Sequence, residues 1–283
     1  MPTTPTTVAT PAFDGVNPLL AQDEALLPEV VEATRAAGAH LRERFSPDAR
    51  LDSLADVVAA IHANDAASLG FLREPLQTLR PGAGWAEDEM ESGSLPAGEW
   101  WITDAVEGNI NHIHGMTEWS VTATLVRDNR PVLTAVHLPL TGDTYTAVRG
   151  GGAFLNGGRL SPSAKSELNG ALVGTGQARP GEDEETFRRI GLSVTAMLTS
   201  ALVTRVSVPA TLQLIQVAAG RMDVFWQFSD VRSGLLSGAL LVAEAGGTVT
   251  DTLGNPWGLA SEDFLATAPA LHSAAVEVLA PLR

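Results

Sequence analysis

The chain has 283 residues, no cysteine, 45% hydrophobic residues and a net charge of −15. It is long enough to bury a sizeable core, as one large unit or as two halves sharing a sheet. The charge argues against a nucleic-acid or anionic-membrane surface, which needs a basic patch, and the lack of cysteine excludes disulfides and thiolate chemistry. Any metal must be held by oxygen or imidazole, and carboxylates far outnumber His, which favours a hard ion such as Mg²⁺.

Residues 1–17 are rich in Thr, Pro and Ala and lack the basic and apolar regions of a signal peptide. They read as a flexible tail, and 18–283 as one domain with halves 18–165 and 166–283. Pro18 to Phe45 reads as largely helical, with Leu26, Val30, Ala33, Ala37 and Leu41 on one face and Pro28 in a first turn. Leu54 to Leu79 reads as a second helix or a broken pair, with Ile61, Asp65, Leu69 and Leu72 along one side. Pro81 to Gly84 forces a turn.

A strand-rich stretch follows. Trp100 to Asp104 is a short β run. Ser120 to Val126 and Val132 to His137 alternate around a turn at Asp128 to Pro131, and Thr144 to Val148 is a further strand. Glycines at 150–152 and 157–158 bracket a tight hairpin. The second half alternates: strands near 171–174, 201–206, 224–227, 248 and 264, and helices near 182–197, 210–219, 233–245 and 270–279. This order describes an α+β layered architecture, a helix pair, an antiparallel sheet and then an α/β half. The longest apolar run, around Leu235 to Ala245, is too short and too Gly-broken to span a bilayer. The expected location is the cytoplasm.

Trp100-Trp101-Ile102-Thr103-Asp104-Ala105-Val106-Glu107-Gly108-Asn109-Ile110-Asn111-His112 resembles the Asp-Pro-Ile-Asp-Gly-Thr-x-Asn-Phe motif of the inositol monophosphatase family. Four further segments resemble that family in the same order. They are Trp85-Ala86-Glu87-Asp88-Glu89, Gly150 to Gly157, Ala218 to Gln227, and Glu244-Ala245-Gly246-Gly247. Asn64-Asp65 is similar to its helix-borne Asp. The resemblance implies a layered αβαβα sandwich, a homodimer, a small-molecule substrate, and Mg²⁺ ions held by carboxylates. It implies Glu87, Asp104, Glu107, Asp65 and the Val106 carbonyl as metal ligands. It also places Glu87, Asp104, Glu107, Asn109 and His112 in the catalytic centre, and Gln227, Asp230 and Asn111 against substrate.

The departures from the motif decide the chemistry. The family's second Asp is Glu107, its Thr is Asn109, its Phe is His112, and its Asp before the last long helix falls on Gly234. Asn109 has no hydroxyl to relay a proton, Glu107 carries its carboxylate a methylene farther out, and Gly234 offers no ligand. The expected metal site is therefore weak: no cofactor is required, or a single weakly bound Mg²⁺. Three functions stay open. One is an enzyme repurposed to carboxylate and His acid–base chemistry, such as cyclisation, elimination or hydration of a small metabolite. The others are a Mg²⁺-dependent phosphomonoesterase with a modified site, and a non-catalytic scaffold. Crowded carboxylates raise one another's pKa and His112 titrates near neutrality in water, so the first is favoured. Asp230 reads either as a helix cap or as a substitute for the lost ligand, and His114 as the residue closing the turn after the motif.

Overall fold

The computed structural model describes residues 17–87, 93–176, 181–228 and 232–283. All of the expected tail but Asn17 lies outside them. Two long helices come first, α1 (Leu20–Arg44) and α2 (Leu54–Leu79). Pro28 sits inside α1 rather than in its first turn. Two helical turns precede it, so its ring crowds the Glu24 carbonyl and leaves it without an intrahelical N–H donor. Helix α2 is continuous through Gly70 and Pro75 and opens on a Ser53 cap that accepts from the Asp56 amide. Its buried side differs from the expected one: it is Asn64, Ser68, Leu72 and Leu76. The stripe is apolar at the far end of the helix and polar where it meets the motif, so apolar periodicity alone points to the wrong face.

A seven-stranded sheet follows: β1 (Gly84–Trp85), β2 (Glu99–Glu107), β3 (Ser120–Arg127), β4 (Arg130–Leu138), β5 (Asp143–Val148), β6 (Gly152–Leu155) and β7 (Gly158–Arg159). A five-residue helix α3 (Asn109–Ile113) interrupts the chain after β2, where a turn was expected. All pairs are antiparallel except β1 with β2. Asp128 and Asn129 turn the β3–β4 hairpin with φ of 48° and 63°, the left-handed pair that a two-residue hairpin demands.

The second sheet has the order β11-β12-β10-β8-β9. Its strands are β8 (Leu172–Thr175), β9 (Val203–Val206), β10 (Val224–Gln227), β11 (Thr248–Thr250) and β12 (Phe264–Thr267), and the helices between and after them are α4 (Glu184–Ser200), α5 (Ala210–Ala218), α6 (Arg232–Ala245) and α7 (His272–Leu279). Three apolar cores weld five layers. Helices α1 and α2 pack on the outer face of the first sheet through Leu41, Leu72, Trp101 and Leu125. Helices α5 and α6 lie between the sheets, with Leu214, Leu240, Phe225 and Tyr145. Helices α4 and α7 cover the second sheet through Met197, Trp226 and Leu271. The αβαβα expectation is met. Among the described residues no helix is long and apolar enough to cross a membrane.

Candidate active site

The site begins with a β-bulge. Asp104 pairs with Thr122 and Glu107 with Ser120, so three steps on β2 match two on β3. In a regular strand, residues three apart point to opposite faces. Thr122 and Ser120 are two apart and share a face, so the extra residue brings Asp104 and Glu107 to the same side of the sheet. The bulge is pinned from two directions: Ser68 on α2 donates to the Ala105 carbonyl at 2.8 Å, and the Val106 amide donates to Asp104 Oδ1 at 3.0 Å. Both carboxyl groups are buried.

Gly108 then turns the chain into α3 with φ 86°. A Cβ there would sit 2.8 Å from the Glu118 carbonyl and 3.0 Å from Pro209, so only glycine makes the turn at this distance. The opposite holds at Gly234, near the start of α6. A Cβ at Gly234 would lie 3.7 and 3.9 Å from the two Glu107 carboxylate oxygens, at ordinary contact distance. The position where the family motif places an Asp therefore faces Glu107 directly, and the longer Glu107 side chain reaches toward the space that a second carboxylate would fill.

A polar chain runs from the cleft into the helix pair. Asn109 Nδ2 donates to Asp65 Oδ1 at 2.7 Å and to the Ile61 carbonyl at 3.2 Å. Asn109 Oδ1 accepts from Asn64 Nδ2 at 3.0 Å. Arg44 Nε donates to Asn64 Oδ1 at 3.2 Å, which fixes the Asn64 amide, so its Nδ2 also donates to His112 Nδ1 at 2.9 Å. The tautomer of His112 follows: Nε2 carries the proton and donates to the Leu41 carbonyl at 3.1 Å. The imidazole lies edge-on to Phe45 and Trp119.

Electrostatics follow from this burial. Asp104 is pushed well above the usual carboxylate range, first by burial and then by the Glu107 charge and a hydrogen bond with Glu107. Burial and the neighbouring charge both favour the protonated form of Asp104. Asp65 is raised as well, by burial, with the Asn109 bond and His62 opposing the rise. His112 is lowered, chiefly by burial, against the bond to Leu41 and with Arg44 adding to the drop. The expectation that His112 titrates near neutrality is thus corrected: both ring nitrogens are engaged inside an aromatic pocket and the neutral form is favoured.

The remaining expected residues scatter. Glu87 is 66% exposed and forms a two-pronged ion pair with Arg73 on α2, Nη1 to Oε2 at 2.9 Å. Asn111 turns away from the carboxyl pair and spends its amide on the Glu118 and Val208 carbonyls, at 2.7 and 2.9 Å. Gln227 ends β10, with its Oε1 closely over Gly176, where a Cβ would be 2.5 Å away. His114 closes α3 on the Ile110 carbonyl. Asp230 lies outside the described residues. Asp65, Asn109, Asn64 and His112 thus form one hydrogen-bonded chain, and the Asp65 charge acts on Asp104 of the carboxyl pair. Ser68 and Arg44 are contributors that sequence reasoning did not single out, and Asn64 entered it only as the neighbour of Asp65; the available signal was a polar i, i+4 pair, Asn64 and Ser68, on an otherwise apolar helix stripe.

Among the described residues no three His, Asp or Glu side chains converge as a metal group. Asp104 and Glu107 share one face of the bulge, Asp65 is tied to the Asn109 amide, Glu87 is held by Arg73, and Gly234 has no side chain to offer. The described donors near the bulge are Asp104, Glu107 and, on α2, Asp65, and by themselves they do not fit a cluster of several Mg²⁺ ions, each of which wants near-octahedral oxygen geometry.

Comparison with known proteins agrees with the fold. A sequence model of the inositol monophosphatase family matches residues 22–282. An inositol-1-monophosphatase of Rhizobium meliloti (strain 1021) is 34% identical over 232 residues, 81% of this chain and 86% of that protein. A Nus factor SuhB of Pseudomonas aeruginosa is 36% identical over 156 residues, 55% of this chain and 57% of that one. The crystal structure of an inositol monophosphatase from Anabaena superposes with a TM-score of 0.77 at 24% identity, covering 92% of this chain and 97% of that one.

Proposed function

The chain belongs to the inositol monophosphatase family, and we propose that it is an enzyme of small-molecule metabolism whose cleft works by proton transfer through Asp104 and Glu107. What supports this reading is the placement of two buried carboxyl groups on one face of the β2 bulge, where burial and the Glu107 charge push Asp104 toward its protonated form. A protonated carboxyl beside an ionised one supplies a general acid and a general base at the same pH. The acid gives its proton to a leaving or acceptor oxygen, the base removes one from carbon or oxygen, and exchange within the pair resets the site. Elimination, hydration and cyclisation of a hydroxylated metabolite are the reactions this set serves. Asp65, oriented by Asn109, is the substrate-facing carboxylate. In this reading His112 positions Asn64 and, through it, Asn109.

A second reading is a Mg²⁺-dependent phosphomonoesterase with one weak ion at Asp104, Glu107 and the Val106 carbonyl. It is favoured by 34% identity with an inositol-1-monophosphatase over most of both chains. A cytoplasmic homodimer is part of either proposal. Leu198, Leu202, Val203 and Val206 expose apolar side chains at the end of α4 and along edge strand β9, which supports a subunit contact there.

One set of measurements separates the readings. Mg²⁺ binding is followed by calorimetry on wild type and Asp104→Asn, with phosphomonoester hydrolysis assayed in the same buffers. Infrared difference spectra test for a protonated carboxyl at neutral pH, and turnover of a pool of hydroxylated metabolites is followed in chelator. The proposal expects a carboxyl band that disappears in Asp104→Asn, together with turnover that survives chelation. Hydrolysis that depends on Mg²⁺ and is lost with Asp104→Asn replaces the first reading by the second.

A further inference from the structure

A cavity of about 390 Å³ lies behind the Gly108 turn, within the size range of small-molecule sites. Its lining joins both halves of the chain. Leu138, Leu172, Leu212 and Met222 supply apolar surface, and Arg205 and Arg221 supply the cationic groups. Its inner wall is the catalytic turn seen from the other side: Asn111 holds the Val208 carbonyl, and Pro209 packs where a Cβ of Gly108 would be.

Arg205 and Arg221 lack carboxylate partners, as Arg35, Arg42 and Arg130 do elsewhere among the described residues, but here two such groups line one cavity. Arg73, Arg80, Arg127, Arg188, Arg189 and Arg283 all pair with carboxylates. Among the described residues Arg205 has neither an ion pair nor a hydrogen bond, and Arg221 reaches only neutral groups, Gln216 Oε1 at 3.5 Å and the Tyr145 hydroxyl. The acidic residue in the lining, Glu118, accepts from its neighbour Thr117 at 3.3 Å. Two guanidinium groups without acidic partners, set beside apolar side chains in a partly enclosed space, match an anion with an apolar body.

We propose that this cavity is a binding site for a small organic anion, a carboxylate or phosphate ester on a short apolar chain, distinct from the Asp104–Glu107 cleft. The apolar body lies on Leu172, Leu212 and Met222, and the anionic head faces Arg205 and Arg221. The site does not depend on which reaction the Asp104–Glu107 pair performs.

The test uses hexanoate and hexyl phosphate as probes, with 1-hexanol and inorganic phosphate as controls lacking the charge or the tail. Binding to the full chain is followed by calorimetry and by ¹³C-methyl signals of the methionines. Met116 and Met222 line the cavity, whereas Met197 is buried in another core, so it serves as an internal reference. The expected result is saturable binding of at least one of the two tailed anions, with shifts at Met116 and Met222 and none at Met197. Arg205→Met should weaken it about tenfold or more, the usual effect of losing one charge-assisted partner, and Asp104→Asn should leave it intact. Which of the two anions binds more tightly identifies the head group. Binding of 1-hexanol as tight as that of the anions, unchanged affinity in Arg205→Met, loss of binding in Asp104→Asn, or no saturation at millimolar probe each overturns the proposal.

Discussion

Gly234→Asp places a carboxylate beside Glu107, where the motif that the chain resembles carries an Asp, and its effect can be worked from the geometry. The Cβ enters without a clash, 3.7 Å from Glu107 Oε1 and 3.9 Å from the Ala210 methyl. Two like charges about 4 Å apart repel by about 4 kcal/mol at an effective dielectric near 20. Proton uptake by the cluster and rotation of the new side chain relieve part of this. Replacing Gly within a helix returns a few tenths of a kcal/mol, and a negative charge in the first turn returns about 0.5 kcal/mol. The net expectation at neutral pH in chelator is a loss of roughly 1–2 kcal/mol. Acidification should erase it, because the extra charge is then neutralised. Urea unfolding with and without Mg²⁺ is the assay. The variant should regain stability in Mg²⁺ by mass action on a newly completed donor set, while wild type stays unmoved. A variant as stable as wild type in chelator at neutral pH would show that position 234 does not face the pair. An equal gain by wild type in Mg²⁺ would show that the present residues already hold the ion firmly.

Asp104→Asn keeps the bond from the Val106 amide but removes the titration. Because Asp104 is raised above its unfolded value, wild type binds that proton more tightly when folded, so this contribution is present at low pH and is lost as pH rises from about 4 through the raised pKa. The variant should gain stability relative to wild type over that window while turnover falls; a relative loss on alkalinisation contradicts the raised pKa of Asp104. His137, buried on β4 with Nδ1 against Thr144, is pushed down to about 4, chiefly by burial and next by Arg35. Its contribution is present above the unfolded value near 6.5 and is lost as pH falls toward 4, about 3 kcal/mol in all. His137→Asn should remove that loss, measured as the difference in unfolding free energy between neutral and acidic buffers, and identical pH slopes in the two proteins would refute it. His112→Phe leaves the Leu41 carbonyl and one Asn64 N–H without their partner, at a cost of about 1–3 kcal/mol less the gain from apolar packing on Phe45 and Trp119. The pH dependence of turnover between about 5 and 8 should not change. Disappearance of a limb near neutrality would return His112 to the acid–base role.

The sequence carried the layers and their order because periodicity, turn residues and five spaced motifs agree with one another. The same motifs pointed to Asp104 and Gly234, which the structure places on either side of Glu107. What it did not carry depends on contacts distant in the chain. His112 looks like a new titratable group when written in place of Phe, but Leu41, Asn64, Phe45 and Trp119 enclose it and make it a hydrogen-bonding strut. Glu87 looks like a ligand until Arg73, fourteen residues earlier, is seen to hold it. The bulge is invisible as a pattern, since nothing in Ala105-Val106 announces an extra residue. It appears only in the register with β3.

The replacements also fit one another, which bears on whether the site has decayed. Glu107 carries its carboxylate a methylene farther out than the Asp of the motif it resembles, and Gly234, which it faces, has no side chain. Asn109 brings two N–H groups and one oxygen, and Ile61, Asp65 and Asn64 supply a partner for each. His112 brings a donor and an acceptor, and Leu41 and Asn64 complete both. Random loss leaves unmatched polar atoms in buried places, at about 1–3 kcal/mol each. Matched substitutions of neighbours instead couple energetically. The consequence is measurable as a double-mutant cycle between positions 107 and 234. Glu107→Asp opens space beside Gly234, and Gly234→Asp crowds Glu107, so each alone should destabilise the protein in chelator. The pair together should cost less than the sum of the two. Strict additivity would mean that the two positions changed independently, and the case for a rebuilt rather than an eroded site would lose its physical basis.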